Sequence, residues 1–469
     1  KYILHIGPTN SGKTYSAVQS LKASNKGIYL APLRLLAWEI YERLNQEGHL
    51  CSLFTGEEKI NIPQSNLTSC TIEMCSFQTH YDCAVIDECF MVADAQRGKF
   101  WLNAIMQINA DEVHIISNLE SEKLLTDLLT TTNNVFEVHK YERKVPLEIA
   151  EHTINFKKLA PKTILVVFSR INVLYNKYLL QQYGVKCSIL YGNLPPEVKK
   201  EQIKNFIEGK TDVLVSTDVI GMGINLPCNQ IVFLEDSKFD GENVRSLNEK
   251  EIKQISGRAG RYGLSQKGIV TAVDPFFILK IQEAFNSHIE EKSGIYGLDG
   301  DIYKLIPEQT PKLKIKSYEN LNYLPETLSF LRREDLSKYY DLTKYYDLSL
   351  LNDDLAWAFL SCPVNPNNSN FWKFAVSSAV HFKRITFNEK YSLDEITNIK
   401  ELELAENSIS NIDLFLYMFN NKILNPLFLK YNLDFVEIIK SHKHIIIENI
   451  NSYLLFKKIK EKEIPKTKK

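Results

Sequence analysis

An excess of charge of either sign is missing from this sequence: 56 basic residues stand against 57 acidic ones in a chain of 469. That excludes a polycation which coats nucleic acid by bulk charge, but leaves room for a local basic channel. Long apolar runs are missing too, and none reaches the length that a helix needs to cross a bilayer. No signal or transit segment is in view, since the chain opens at Lys1 on a strand-like run and its first motif lies six residues in. Cysteine is sparse, with eight residues and no CxxC pair. Cys70, Cys75, Cys83 and Cys89 crowd together, yet no partner pair stands at zinc-finger spacing, so reduced and mostly buried thiols are expected rather than a metal site. Such usage fits a cytoplasmic compartment of bacterial type, with the mitochondrial matrix as the alternative.

What is present is apolar side chain in quantity. Hydrophobic residues make up 44% of the chain, enough for several cores, and the length suggests about three domains. Short apolar runs alternate with helical patterns from the start. Tyr2–Ile6, Gly27–Ala31, Cys83–Ile86 and Val113–Ile116 read as strands, and Lys13–Ala23 and Arg34–Asn45 as helices. The pattern weakens across the polar stretch Asn133–Pro146 and then restarts. Thr163–Phe168, Cys187–Leu190, Asp212–Ser216, Gln230–Leu234 and Gly268–Val273 read as strands, with helices over Ile171–Tyr183, Pro195–Ile207 and Asn248–Ala259. Alternation of this kind predicts parallel sheets covered on both faces. The expected organisation is one α/β domain over 1–145, a second over 146–285 and a mostly α-helical region over 286–469. Gly294–Lys316 reads as loop, and the lysine-rich Lys457–Lys469 as a solvated end.

Three motifs carry chemistry. Gly7-Pro8-Thr9-Asn10-Ser11-Gly12-Lys13-Thr14 follows a strand and opens a helix, the context a phosphate-binding loop requires. Its backbone N–H groups and the helix N-terminus would cradle phosphates. Lys13 would neutralise them, and the Thr14 hydroxyl would hold Mg²⁺. Asp87-Glu88 follows the strand Cys83–Ile86, where a carboxylate lies beside such a loop. Asp87 would bind Mg²⁺, and Glu88 would orient and deprotonate the attacking water. Gln254-Ile255-Ser256-Gly257-Arg258-Ala259-Gly260-Arg261 sets two arginines three apart on a helix or its end. Offered across a cleft, Arg258 and Arg261 would act as arginine fingers, with Gln254 near the γ-phosphate or its water. Between them, Gly221 and Gly223 permit close backbone approach to a phosphate, and Thr217 and Asn225 offer hydrogen bonds. A small-molecule kinase would have no use for the third motif.

Motifs in this order resemble the DExH helicases of superfamily two, built on two tandem RecA-like P-loop domains. Finer strings narrow the resemblance to the Suv-three-type RNA helicases: GPTNSGKT at 7–14, APLRLLA at 31–37, TGE at 55–57, TIEM at 71–74, DAQRG at 94–98, FSR at 168–170, YGNLPPE at 191–197 and TDVIGMGINLP at 217–227. LSCPVN at 360–365 and IDLFLYMF at 412–419 extend it more faintly. The resemblance implies ATP, or another nucleoside triphosphate, with Mg²⁺. It implies a single-stranded RNA or an overhanging duplex moved 3′→5′, RNA turnover with an exoribonuclease as partner, no membrane, and a monomer or small oligomer. It would place Arg34, Thr55, Thr71, Ser169, Arg170 and Thr217 on the strand. A DNA helicase and a non-hydrolysing RNA scaffold are the competing readings. Two positions depart from type. Phe90 stands where the family has a polar Gln or His that couples ATP to the second domain. Ser117-Asn118-Leu119-Glu120 stands in place of its usual coupling motif.

Overall fold

The computed structural model describes the chain apart from residues 57, 96, 151–153, 155, 158, 222–225, 240–242, 261–265, 288, 292, 322–323, 332–335, 365–369, 388–389 and 457–469. Arg261, Gly223, Asn225 and the lysine-rich end therefore lie outside the described residues.

Eight strands build the first sheet: β1 (Tyr2–Ile6), β2 (Gly27–Ala31), β3 (Cys51–Phe54), β4 (Lys59–Ile60), β5 (Leu67–Thr71), β6 (Tyr81–Ile86), β7 (Ala110–Ser117) and β8 (Phe136–Lys140). Their order is β4-β3-β5-β2-β6-β7-β1-β8, parallel throughout except for the short edge strand β4. The helices α1 (Lys13–Ala23), α2 (Arg34–Gln46), α3 (Gly98–Gln107) and α4 (Glu122–Thr131) cover its faces. Strands β1 and β2 are buried along their whole length, which is why they read as unbroken apolar runs. β8 was not legible in the polar stretch after Asn133. It is an edge strand, half-buried to exposed, and it carries Glu137, His139 and Lys140.

The second sheet has the order β11-β12-β10-β13-β16-β9. Its strands are β9 (Leu147–Ile149), β10 (Thr163–Val166), β11 (Cys187–Leu190), β12 (Val213–Ser216), β13 (Gln230–Phe233) and β16 (Gly268–Ala272), all parallel. A hairpin of β14 (Ser237–Phe239) and β15 (Val244–Ser246) stands apart from it. The covering helices are α5 (Arg170–Gln182), α6 (Pro196–Ile207), α7 (Glu249–Ser256) and α8 (Pro275–Asn286). The helix expected over Asn248–Ala259 is shorter: Asn248 is its N-cap in a reciprocal capping box with Glu251, and it stops at Ser256.

Beyond α8 the chain is mostly helical, ending in two long helices, Ile399–Asn420 and Leu433–Phe456. The loop expected over Gly294–Lys316 is corrected. It holds a strand, Gly294–Tyr296, a helix, Gly300–Leu305, and most of another, Pro311–Glu319. The Asp and Pro that suggested turns are capping residues. The Asp299 carboxylate accepts from the N–H groups of Asp301 and Ile302, and Thr310 precedes a proline at the first helical position.

The helical region shares one core with the second sheet. Leu165, Val215 and Val232 pack in the same cluster as Phe359, Trp372 and Phe415. Buried charge reinforces this seam. The Arg170 guanidinium lies 3.1 Å from Glu406, which also accepts from the Tyr191 hydroxyl. Lys443 is held at 2.8 Å by both Glu197 and Asp413. Removing one partner of a buried pair leaves the other charge uncompensated. Glu406→Ala is expected to destabilise the protein by about 3 kcal/mol, seen as a lowered thermal midpoint and faster proteolysis between 286 and 456. An unchanged midpoint would show that the pair contributes nothing to the seam.

Candidate nucleotide site between two sheets

The phosphate-binding loop is shaped by what surrounds it. Gly7 hydrogen-bonds through its N–H to the Ser117 carbonyl at 3.2 Å, and a Cβ there would sit 2.5 Å from the Tyr141 carbonyl oxygen. No residue with a side chain fits. Gly12 has φ +93° and serves as the N-cap of α1. Asn10 also adopts a left-handed φ, 62°, which Asn tolerates better than most residues. Ser11 is buried, and its hydroxyl donates to the Pro8 carbonyl at 2.8 Å. The Lys13 ammonium donates to the carbonyls of Gly7 and Pro8. Thr14 follows in the first turn of α1, half-buried.

Asp87 emerges from the end of β6 and is almost fully buried. One carboxylate oxygen accepts from the Tyr29 hydroxyl and the other from the Glu88 N–H at 2.8 Å. Its own carbonyl accepts from the Trp101 indole at 2.8 Å. Burial, and then the charge of Glu88, pushes the Asp87 carboxyl up from its usual range. Glu88 is held in left-handed backbone conformation, φ 50° and ψ 48°, a strained state for a residue with a side chain. The strain aims Glu88 across the cleft.

There it meets the second unit. The Arg258 guanidinium lies 3.5 Å from a Glu88 carboxylate oxygen and donates to the Gly221 carbonyl at 2.8 Å. Gln254 donates to the same carbonyl at 2.9 Å. The Gly221 carbonyl therefore braces the arginine-bearing turn. Lys13, Asp87, Glu88, Gln254 and Arg258 thus converge on one cleft.

The six candidate strand contacts lie at the carboxyl ends of strands in both sheets. Arg34 opens α2 after β2, Thr55 follows β3, Thr71 ends β5, Ser169 and Arg170 follow β10, and Thr217 follows β12. Thr55, Thr71 and Thr217 are buried. Ser169 caps α5 by accepting from Asn172, and Arg170 is held by Glu406. Phe90 is half-buried on the short 3₁₀ turn after Glu88. The Ser117 hydroxyl is buried against that of Ser121 at 2.6 Å, and Glu120 lies 3.7 Å from Lys253 of α7.

Sequence patterns did not reveal Tyr29, Trp101 or Arg143. A tyrosine in the otherwise apolar strand GIYLA was the one available signal. Among the described residues, His80, Asp82 and Asp111 bring ligand atoms within 4.8 Å of one another. They lie at the amino ends of β6 and β7, opposite the cleft, and are not wholly buried. A cavity of about 310 Å³ opens among Lys59, Glu197 and Lys443, away from the phosphate loop.

Burial lowers the Lys13 ammonium to about 8, against the opposing pull of Glu88 and Asp87. A bound phosphate favours the charged form, so binding above that pH takes up a proton. Nucleotide affinity is therefore expected to fall as pH rises through about 8, by up to about tenfold per unit. Lys13→Arg, which cannot deprotonate in this range, should flatten the slope. Titration of a fluorescent nucleotide across this range is the check; a flat wild-type profile would contradict it.

Residues 1–141 match the family model described as the DEXQ-box helicase domain of Suv3, and residues 146–263 match the helicase conserved C-terminal domain. Where that box has Gln, this chain has Phe90. The chain is 43% identical over 268 residues to a protein named DExH-box ATP-dependent RNA helicase DExH16, mitochondrial, of Arabidopsis thaliana, covering 56% of this chain and 47% of that one. It is 33% identical over 447 residues to the ATP-dependent RNA helicase SUPV3L1, mitochondrial, of Gallus gallus, covering 89% of this chain and 56% of that one. The chain thus spans about half the length of the curated relatives it matches. The Escherichia coli DEAH/RHA helicase HrpB superposes on 97% of this chain and 61% of its own with a TM-score of 0.53, at 14% identity, which speaks to the fold alone. Two tandem α/β domains, followed by a helical region, thus resemble in sequence the helicase domain of Suv3 and, directly after it, the helicase conserved C-terminal domain.

Proposed function

We propose that the chain is the motor of an ATP-dependent RNA helicase. The observation that carries this is the Arg258–Glu88 contact, made across the cleft between the two sheets and beside the phosphate loop. An arginine aimed at the catalytic carboxylate from a separate sheet makes hydrolysis depend on how the sheets stand to each other. The relatives are named as RNA helicases, which favours RNA over DNA as the strand.

In this reading the loop 7–14 and Lys13 hold the β- and γ-phosphates. The Asp87 carboxylate and the Thr14 hydroxyl are a donor set of the hard-oxygen kind that suits Mg²⁺. Asp87 is buried beside a second carboxylate, an environment that a divalent cation relieves. That ion would neutralise charge on the transferring phosphate. Glu88 orients and deprotonates the attacking water. Arg258 exchanges Glu88 for the γ-phosphate, with Gln254 beside it and Arg261 in support. Arg34, Thr55, Thr71, Ser169 and Thr217 line the strand-facing edge. Arg170 joins them only by leaving Glu406.

Residues 1–145, 146–285 and 286–469 act as two motor domains and a helical region bound to the second. RNA turnover beside an exoribonuclease, and 3′→5′ movement, belong to the same reading. The relatives' names support a mitochondrial setting, and the cytoplasmic expectation finds no support among them.

Unwinding of matched RNA and DNA duplexes with 3′ or 5′ overhangs tests substrate and polarity together. RNA with a 3′ overhang is the expected substrate, and preference for DNA would overturn the reading. Glu88→Gln or Lys13→Ala is expected to lower strand-stimulated turnover by about 100-fold or more with the fold intact. Turnover near wild type in either variant would remove these residues from the chemistry.

A further inference from the structure

The turn that carries Arg258 is gripped from outside its own sheet. Arg143, in the segment joining β8 to β9, donates through Nη1 to the Gly257 carbonyl at 2.9 Å and through Nη2 to the Ala259 carbonyl. Its Nε donates to the Val145 carbonyl at 2.7 Å, and Nη1 also reaches the Thr9 carbonyl of the phosphate loop at 3.4 Å. The Asn10 amide of that loop donates to the Gly260 carbonyl at 2.8 Å and lies 3.4 Å from that of Gly257. Every backbone carbonyl flanking Arg258, at 257, 259 and 260, is thus taken by a side chain from outside the second sheet.

The geometry needs a guanidinium. Carbonyls two residues apart, on a turn shaped by Gly260 at φ +77°, present two acceptors side by side. A planar fork meets both with two N–H groups of fixed direction while Nε still holds the Val145 carbonyl, a spread of donors that the single nitrogen of an ammonium does not reach. Burial lowers the Arg143 guanidinium from its usual value, against the opposing pull of Cys228. Among the described residues its N–H groups are met by carbonyl oxygens.

Resting on the helicase reading, we infer that Arg143 is a positioning residue that ties the state of the phosphate loop to the placing of Arg258. Nη1 is shared between Thr9 and Gly257, so a backbone shift in the loop changes the grip on the turn. Asn10 carries the same shift to Gly260. The link runs through side-chain hydrogen bonds to backbone, which holds the turn while leaving the Arg258 side chain free to exchange partners. Phe90 cannot make such a link, because it has no donor.

Amide hydrogen exchange over residues 254–260, with and without a non-hydrolysable ATP analogue, tests this in the full chain beside RNA-stimulated turnover. In wild type the analogue is expected to slow exchange of that segment by about tenfold, the worth of one or two such bonds. In Arg143→Lys the slowing is lost and kcat falls by about tenfold or more, while the analogue's Kd and the KM for ATP stay within about threefold. Arg143→Ala should behave alike; should it fail to fold, the lysine variant, which keeps charge and length, decides. Arg143→Lys with wild-type slowing and kcat overturns the inference, as does wild type with no slowing at all. Slowing in wild type without turnover on any nucleic acid would sink the helicase reading and leave the tie between loop and turn standing.

Discussion

The carboxyl ends of the first sheet's strands meet the turn after α7, which lies at the amino ends of β13 and β16 in the second sheet, and the rest of the molecule follows from that constraint. A parallel strand must be followed by a crossover, so every loop that leaves a carboxyl end is free to carry chemistry. The loop after β1 carries Gly7, Gly12 and Lys13, the one after β6 supplies Asp87 and Glu88, and the turn after α7 supplies Arg258. Charge brought together in a buried cleft has to be compensated at every stage. Glu88 leans on Arg258, Asp87 on Tyr29 and a backbone amide, and Lys13 on two carbonyls. These partnerships are all exchangeable. Each group gives up a protein partner of modest strength when a stronger one arrives, so the cleft is stable before the reaction and not frozen by its own attractions.

The parts legible in the sequence were those with a local cause. β1, β2 and the loop between β1 and α1 announce themselves because a fully buried strand must be apolar and because a phosphate loop needs glycine where Tyr141 comes close. Asp87 and Glu88 were legible for the same reason, as acids at the end of an apolar run. What stayed hidden has a non-local cause. β8 carries charge because it is an edge. Asp299 and Pro311 looked like turn residues, and only the helices that follow show one to be a cap and the other to stand at a first helical position. Arg143 sits in a polar stretch with no period, and its meaning comes from carbonyls more than a hundred residues away. Arg170 ends the string FSR, whose resemblance suggests a strand contact. Its partner Glu406 is likewise distant in sequence.

The helical region is not an appendage. It completes the core of the second sheet and also reaches the first. Lys99 of α3 donates to the Leu298 carbonyl at 2.5 Å, with its ammonium 5.3 Å above the Trp357 ring. Burial lowers that ammonium to about 8, so it is held by packing as much as by charge. Lys200 of α6 adds a direct tie between the sheets, pairing with Glu42 and sitting 4.5 Å over Trp38 of α2. The two α/β units are thus joined by the segment holding Arg143, by Asn10 and Glu88 against the turn after α7, by Glu120 beside Lys253, by α2 against α6, and by the helical region bearing on α3.

Trp101 gives the last of these joints its weight. It lies fully buried in the middle of α3 and holds the carbonyl of Asp87. The helical region bears on α3 at Lys99, two residues away. A mechanical load placed on the far end of the molecule is therefore separated from Asp87 by little more than half a helical turn and one indole. In engineering terms, α3 is the short arm of a lever, and Asp87 stands at its tip.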